Sequence, residues 1–257
     1  DKYLRTFGVS IGYGKRLSWP DDYFSFYGEL SYQMYMMKDW PYMILTDGMS
    51  HNLALNLQIS RSSIDNPIYT RRGSQFTLGL KITPPYSLIK GTTDAQYAQM
   101  TNSEKYNLLE YHKWRFSGKV FTPLSADSKL VLMARAEFGY LGHYNKNAKS
   151  PFESFYMGGD GMSSYSSYST EYVAMRGYQS GSLTPYDPAT GRNMGYVYNK
   201  FTMELRYPIA LEQNATIWAL AFVEAGNCFA DIKDYNPFNL KRSAGVGVRL
   251  FLPMFGL

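Results

Sequence analysis

One arginine has the surroundings of a functional group. Arg176 lies between Met175 and Gly177, with Tyr178 next, in a Gly- and Tyr-rich stretch that also holds Gly158 and Gly159. Glycine admits backbone conformations closed to other residues, so these positions let the chain turn tightly around the side chain. A guanidinium inside a protein needs acidic partners, and Glu204 and Glu224, on two later segments, offer them. Arg176 is therefore either a solvated loop residue or a cation folded back onto those two carboxylates. No other chemistry stands out. His51, His112 and His143 have no metal-ligand spacing to one another or to Cys228, the single cysteine. No Ser/His/Asp set is visible, and Gly12-Tyr13-Gly14-Lys15 lacks the helix that follows a phosphate loop. The expectation is of no enzyme, no metal, no cofactor and no intrachain disulfide.

The elements that must position these residues follow from alternation with period two. Phe7, Val9, Ile11 and Tyr13 alternate with small residues, and Phe24 to Met36 forms a long alternating run. The pattern returns around Leu53–Ile59, Phe76–Ile82, Trp114–Val120, Leu130–Tyr140, Phe201–Tyr207 and Ala244–Leu252. Ile217 to Gly226 is apolar on both faces as far as Glu224, so its facing stays open. This gives about nine strands. Short connections at 18–22, 63–73, 122–128 and 208–215 alternate with long ones at 37–50, 83–110, 142–198 and 228–241. Residues 94–109 read equally as short helix or loop. Within 142–198, positions 163–170 are Ser and Tyr apart from Thr170, a composition that also suits a disordered segment.

Composition narrows the class. Of 257 residues, 24 are Tyr and 15 are Phe, and only 18% are charged. That aromatic content excludes a disordered chain, and no apolar run approaches the ~20 residues of a membrane-spanning helix. The net charge of +5 comes from scattered Lys and Arg, so no nucleic-acid partner is expected. Asp1-Lys2-Tyr3-Leu4-Arg5 has no apolar leader run and reads as a start part-way through a protein. A soluble β-sandwich is the competing architecture. Against it stand the strand lengths and the polar face carrying Arg115, Lys119, Arg135, Glu137, Glu204, Arg206 and Arg249. Aromatics near strand ends (Tyr3, Trp19, Tyr23, Trp40, Tyr42, Trp114, Tyr140, Tyr207) match interfacial girdles. The expected fold is all-β: an antiparallel transmembrane β-barrel with an apolar lipid face and a wet lumen.

Four motifs in order carry a resemblance. Phe155-Tyr156-Met157-Gly158-Gly159, Arg176-Gly177-Tyr178, Met203-Glu204-Leu205-Arg206-Tyr207-Pro208 and Phe222-Val223-Glu224-Ala225-Gly226-Asn227 resemble the BamA/TamA family of outer-membrane assembly proteins. Residues 243–250, followed by Pro253-Met254, resemble its late strand. The resemblance covers the whole chain, best from 150 to 257. It implies that the 142–198 loop enters the lumen and that Arg176 meets Glu204 and Glu224. Met175 stands where Val or Ile is usual, Glu224 where Asp is common, and the 163–174 insertion is longer than in many relatives. The family barrel has roughly sixteen strands, and these correspond to about the sixth to the fourteenth. Residues 1–257 would then be a partial barrel, with the POTRA domains, the remaining strands and the lateral gate outside this sequence. The implied function is folding and inserting β-barrel proteins in the bacterial outer membrane. The implied partners are nascent barrel proteins, accessory lipoproteins, membrane lipid and lipopolysaccharide. A two-partner-type polypeptide secretion transporter, a passive porin and a barrel fused to a lipase-like domain are the alternatives.

Overall fold

The computed structural model describes residues 2–41, 44–161, 170–188 and 191–253. Tyr42, Met254 and the Ser/Tyr stretch with Tyr165 and Tyr168 lie outside the described residues. Thirteen strands are present among those described. In chain order they are β1 (Tyr3–Arg16), β2 (Phe24–Lys38), β3 (Gly48–Ser62), β4 (Gly73–Ile82), β5 (His112–Pro123), β6 (Val131–Gly142), β7 (Ser154–Met157), β8 (Thr170–Val173), β9 (Tyr186–Asp187), β10 (Arg192–Asn193), β11 (Val197–Glu212), β12 (Ala215–Phe229) and β13 (Lys241–Phe251). Nine of them form one sheet in the order β1-β2-β3-β4-β5-β6-β11-β12-β13, every pair antiparallel. It is a pure meander, and it is not closed.

The alternation explains the faces. On β11, Phe201, Met203, Leu205 and Tyr207 are exposed outward, while Thr202, Glu204 and Arg206 are buried on the other side. The same outward apolar rows run along β3 (Leu53, Leu55, Ile59), β5 (Trp114, Phe116, Val120) and β13 (Val246, Val248, Leu250). Water would not tolerate so large an apolar surface; hydrocarbon does. On β12, Trp218, Leu220 and Glu224 are buried while Ala221 and Val223 are exposed, which fixes the facing left open by the sequence. No helix among the described residues is long and apolar enough to cross a membrane.

Two boundaries differ from the sequence reading. The 208–215 connection shrinks to Gln213 and Asn214, because β11 stays paired to Glu212. A register shift between Pro208 and Ala210 lets the ladder pass a proline that has no N–H to donate. Residues 83–111 contain three short helices: α1 (Tyr86–Lys90), α2 (Asp94–Gln99) and α3 (Asn102–Lys105). Capping boxes start the second and third, Thr93 with Gln96 and Thr101 with Glu104.

Two apolar clusters fill the lumen face. At the long-loop end, Phe155, Met157, Val173 and Met175 pack with Tyr35, Tyr111, Leu141 and Tyr198 of the wall. At the short-turn end, Tyr69 packs with Phe121, Val131, Met133, Trp218 and Leu220.

Candidate functional site: a loop latched inside the barrel

The connection from β6 to β11 folds back on itself before it meets the wall. β7 and β8 pair in parallel. The two glycine elements then join through backbone bonds, Gly159 N–H donating to Tyr178 C=O (3.0 Å) and Met175 N–H to Gly159 C=O (2.8 Å). Met175 is fully buried in the long-loop cluster, which anchors the start of the turn. Gly158 has φ 130°, and a Cβ there would lie 2.3 Å from the Gln179 carbonyl oxygen, so only glycine fits. Gly177 follows at φ 83°, turning the chain immediately after Arg176. Tyr178 closes the turn, its hydroxyl donating to the Arg242 carbonyl on β13 (2.8 Å).

That turn delivers Arg176 to the wall. Its Nη2 donates to Glu204 Oε1 (2.9 Å) and Glu224 Oε1 (2.8 Å), its Nε to Glu224 Oε1 (3.1 Å) and its backbone N–H to Glu224 Oε2 (2.9 Å). The guanidinium also lies 3.6 Å from the centre of the Phe222 ring, a cation–π contact worth about 1–2 kcal/mol where water is excluded. Glu204 and Glu224 are 1% and 2% exposed. Both sit on lumen faces of adjacent strands, Glu204 opposite Phe222 and Glu224 opposite Thr202. Further cations hold them: Arg206 and Arg249 on Glu204, and Lys200 on Glu224. Of the two readings of Arg176, the structure takes the folded-back one, with Met175, Gly177, Tyr178, Gly158 and Gly159 all in the same knot.

A second tie was not visible in the sequence. Glu153 and Glu171, on the loop, reach Lys81 on β4 and Lys113 and Arg115 on β5. Lys113 Nζ lies 3.0 Å from Glu153 Oε2 and 2.6 Å from Glu171 Oε2, Lys81 Nζ 2.5 Å from Glu153 Oε1, and Arg115 Nη1 3.2 Å from Glu171 Oε1. Glu153 takes φ 69° to get there, a left-handed conformation costing about 1–2 kcal/mol for an L-residue. Burial would raise its carboxyl pKa; Lys113 and Lys81 outweigh burial and hold it down at about 2. The available signal was on the wall. Strand parity puts Lys81, Lys113 and Arg115 on adjacent lumen rows, and so many cations there require acids from elsewhere. The described residues contain no cluster of metal-ligating groups.

Long strands with an apolar outer face, short turns at one end and a loop latched against a charged inner face define a segment of an outer-membrane β-barrel. The Omp85 superfamily domain matches residues 3–257, so the chain belongs to the Omp85 superfamily, bacterial outer-membrane barrels concerned with protein insertion or secretion. Among solved structures it is similar to the crystal structure of BamA from Haemophilus ducreyi lacking POTRA domains 1-3. The TM-score is 0.66 and the identity 16%, covering 96% of this chain and 48% of that one. The likeness establishes the barrel fold, and the chain spans about half the length of that structure. No curated protein matches the chain.

Proposed function

We infer that the protein to which this segment belongs folds and inserts β-barrel clients into the outer membrane. The segment supplies barrel wall and a braced loop. What supports this reading is the latch itself: one arginine on a lumen loop, shared by two nearly buried glutamates on neighbouring strands, in an Omp85 barrel. Residues 2–253 would act as a stiff back wall, the latch keeping the loop from drifting through the lumen. No bond-making reaction is proposed, and no cofactor. Nascent barrel proteins, accessory lipoproteins, lipid and lipopolysaccharide are the expected partners.

The test is reconstitution of the full-length protein in liposomes with a nascent barrel client. Arg176→Ala is expected to lower client insertion by about tenfold, the effect of losing roughly 1.4 kcal/mol of productive geometry. Undiminished insertion in that variant overturns the role of the latch. Client release across the membrane without insertion would make the protein a secretion transporter, and solute conductance with neither would make it a passive channel.

A further inference from the structure

Between the two apolar clusters lies a chamber of about 360 Å³, with the 63–72 turn at one end and Arg176 at the other. Its lining is unbalanced. Lys119, Arg135, Arg176, Lys200, Arg206 and Arg249 face Asp160, Glu204 and Glu224. Glu204 is bound by three guanidiniums at once, from Arg176, Arg206 and Arg249, all within 2.9 Å. Glu224 is shared between Arg176 and Lys200. Four cations therefore converge on two carboxylates. Lys119 adds a fifth charge: it lies beside Arg135 across the β5–β6 ladder and makes no ion pair with any described residue. Arg135 is itself engaged by Glu137. Like charges gathered at low dielectric repel strongly, and partly buried cations demand neutralisation.

We propose that this chamber is a binding site for a small oxyanion of the phosphate or sulfate class, held by Lys119 and by the guanidinium edges of Arg206 and Arg249 that Glu204 leaves free. Guanidinium and ammonium donors suit such an ion, since each oxygen can accept a charge-assisted bond. Tyr69, Phe121 and Trp218 pack together at the short-turn end and bound the chamber on that side. The anion would tie Lys119 on β5 to Arg206 on β11 and Arg249 on β13 across the chamber, adding a charged link to the apolar packing of Phe121 with Trp218.

The experiment is thermal unfolding of the full-length protein in detergent, titrated with inorganic phosphate against chloride at matched ionic strength. The wild type is expected to show a saturable rise in midpoint with phosphate. Lys119→Gln removes a charge without breaking an ion pair, and is expected to weaken the apparent phosphate affinity about tenfold. Lys119→Glu supplies the missing negative charge, and its midpoint should no longer depend on phosphate. An equal phosphate response in wild type and both variants, or a wild-type response no larger than that to chloride, overturns the site. Equilibrium dialysis with labelled phosphate reads the same loss of affinity without reference to stability.

Discussion

The loop between β6 and β11 meets the wall twice, with opposite polarity. At β11–β12 the loop carries the cation, Arg176, and the wall carries the acids. At β4–β5 the loop carries the acids, Glu153 and Glu171, and the wall the cations. A loop with both signs cannot dock the other way round without placing like charges together at each end, which costs several kcal/mol in a site of low dielectric. The two ties also differ in redundancy. Arg176 alone serves two carboxylates on different strands. The second tie is a chain of pairs, in which each acid keeps another cation when one is lost.

The largest effect should therefore come from Arg176. Arg176→Ala removes three side-chain hydrogen bonds and the Phe222 contact together and leaves the backbone N–H in place. Glu204 keeps Arg206 and Arg249, and Glu224 keeps Lys200, which limits the penalty. A loss of about 3 kcal/mol is expected, read as a lower urea midpoint of the folded barrel and as altered heat-modifiability. A loss under about 0.5 kcal/mol would mean the latch adds little to stability.

Lys113→Met should cost less, about 2 kcal/mol, because Lys81 still reaches Glu153 and Arg115 still reaches Glu171. The two latches share no residue, so the double variant should show the sum of the single effects to within about 0.5 kcal/mol. A larger coupling in the double-mutant cycle would show that the loop acts as one rigid strut between the walls.

Acid separates the two ends further. Glu153 has a carboxyl pKa depressed to about 2 from 4.5. The stability it contributes is fully present above the unfolded value and is lost as pH falls from about 4.5 through about 2. Wild type and Glu153→Gln should therefore converge in thermal midpoint over that window and diverge above it. A constant difference across the window would place the effect of Glu153 in packing or backbone strain rather than charge.

The two ties were unequally legible in the sequence for a physical reason. The Arg176 latch draws on residues whose spacing is set by strand parity and by the glycines its turn requires, so Glu204, Glu224, Gly158, Gly159 and Gly177 could all be picked out along the chain. Glu153 lies in irregular backbone, and Glu171 in a four-residue strand of the loop outside the nine-stranded sheet, so the alternation of the wall assigns neither a face. Glu153 reaches its lysines only through a positive φ, which nothing in its own side chain announces. The nine sheet strands were legible because lipid outside and water inside impose strict alternation. It blurs where both faces are apolar, as in Ile217 to Gly226. It also misleads at Pro208, where a missing donor looks like the end of a strand and is absorbed by a register shift.

The smallest effect isolates backbone conformation from position in the latch. Gly177 and Gly191 have φ 83° and 67°. A Cβ at Gly191 meets nothing within 4 Å, whereas at Gly177 it comes 3.1 Å from the Ser243 Cβ on β13. Gly191→Ala should cost about 1 kcal/mol, the intrinsic cost of a left-handed alanine. Gly177→Ala carries that same cost, and its contact with Ser243 must also be relieved by moving the turn that holds Arg176. It should therefore lower client insertion as well as stability, while Gly191→Ala lowers stability alone. If both variants insert clients as well as wild type, the position of Arg176 tolerates small displacements, and the latch acts by charge rather than by exact placement.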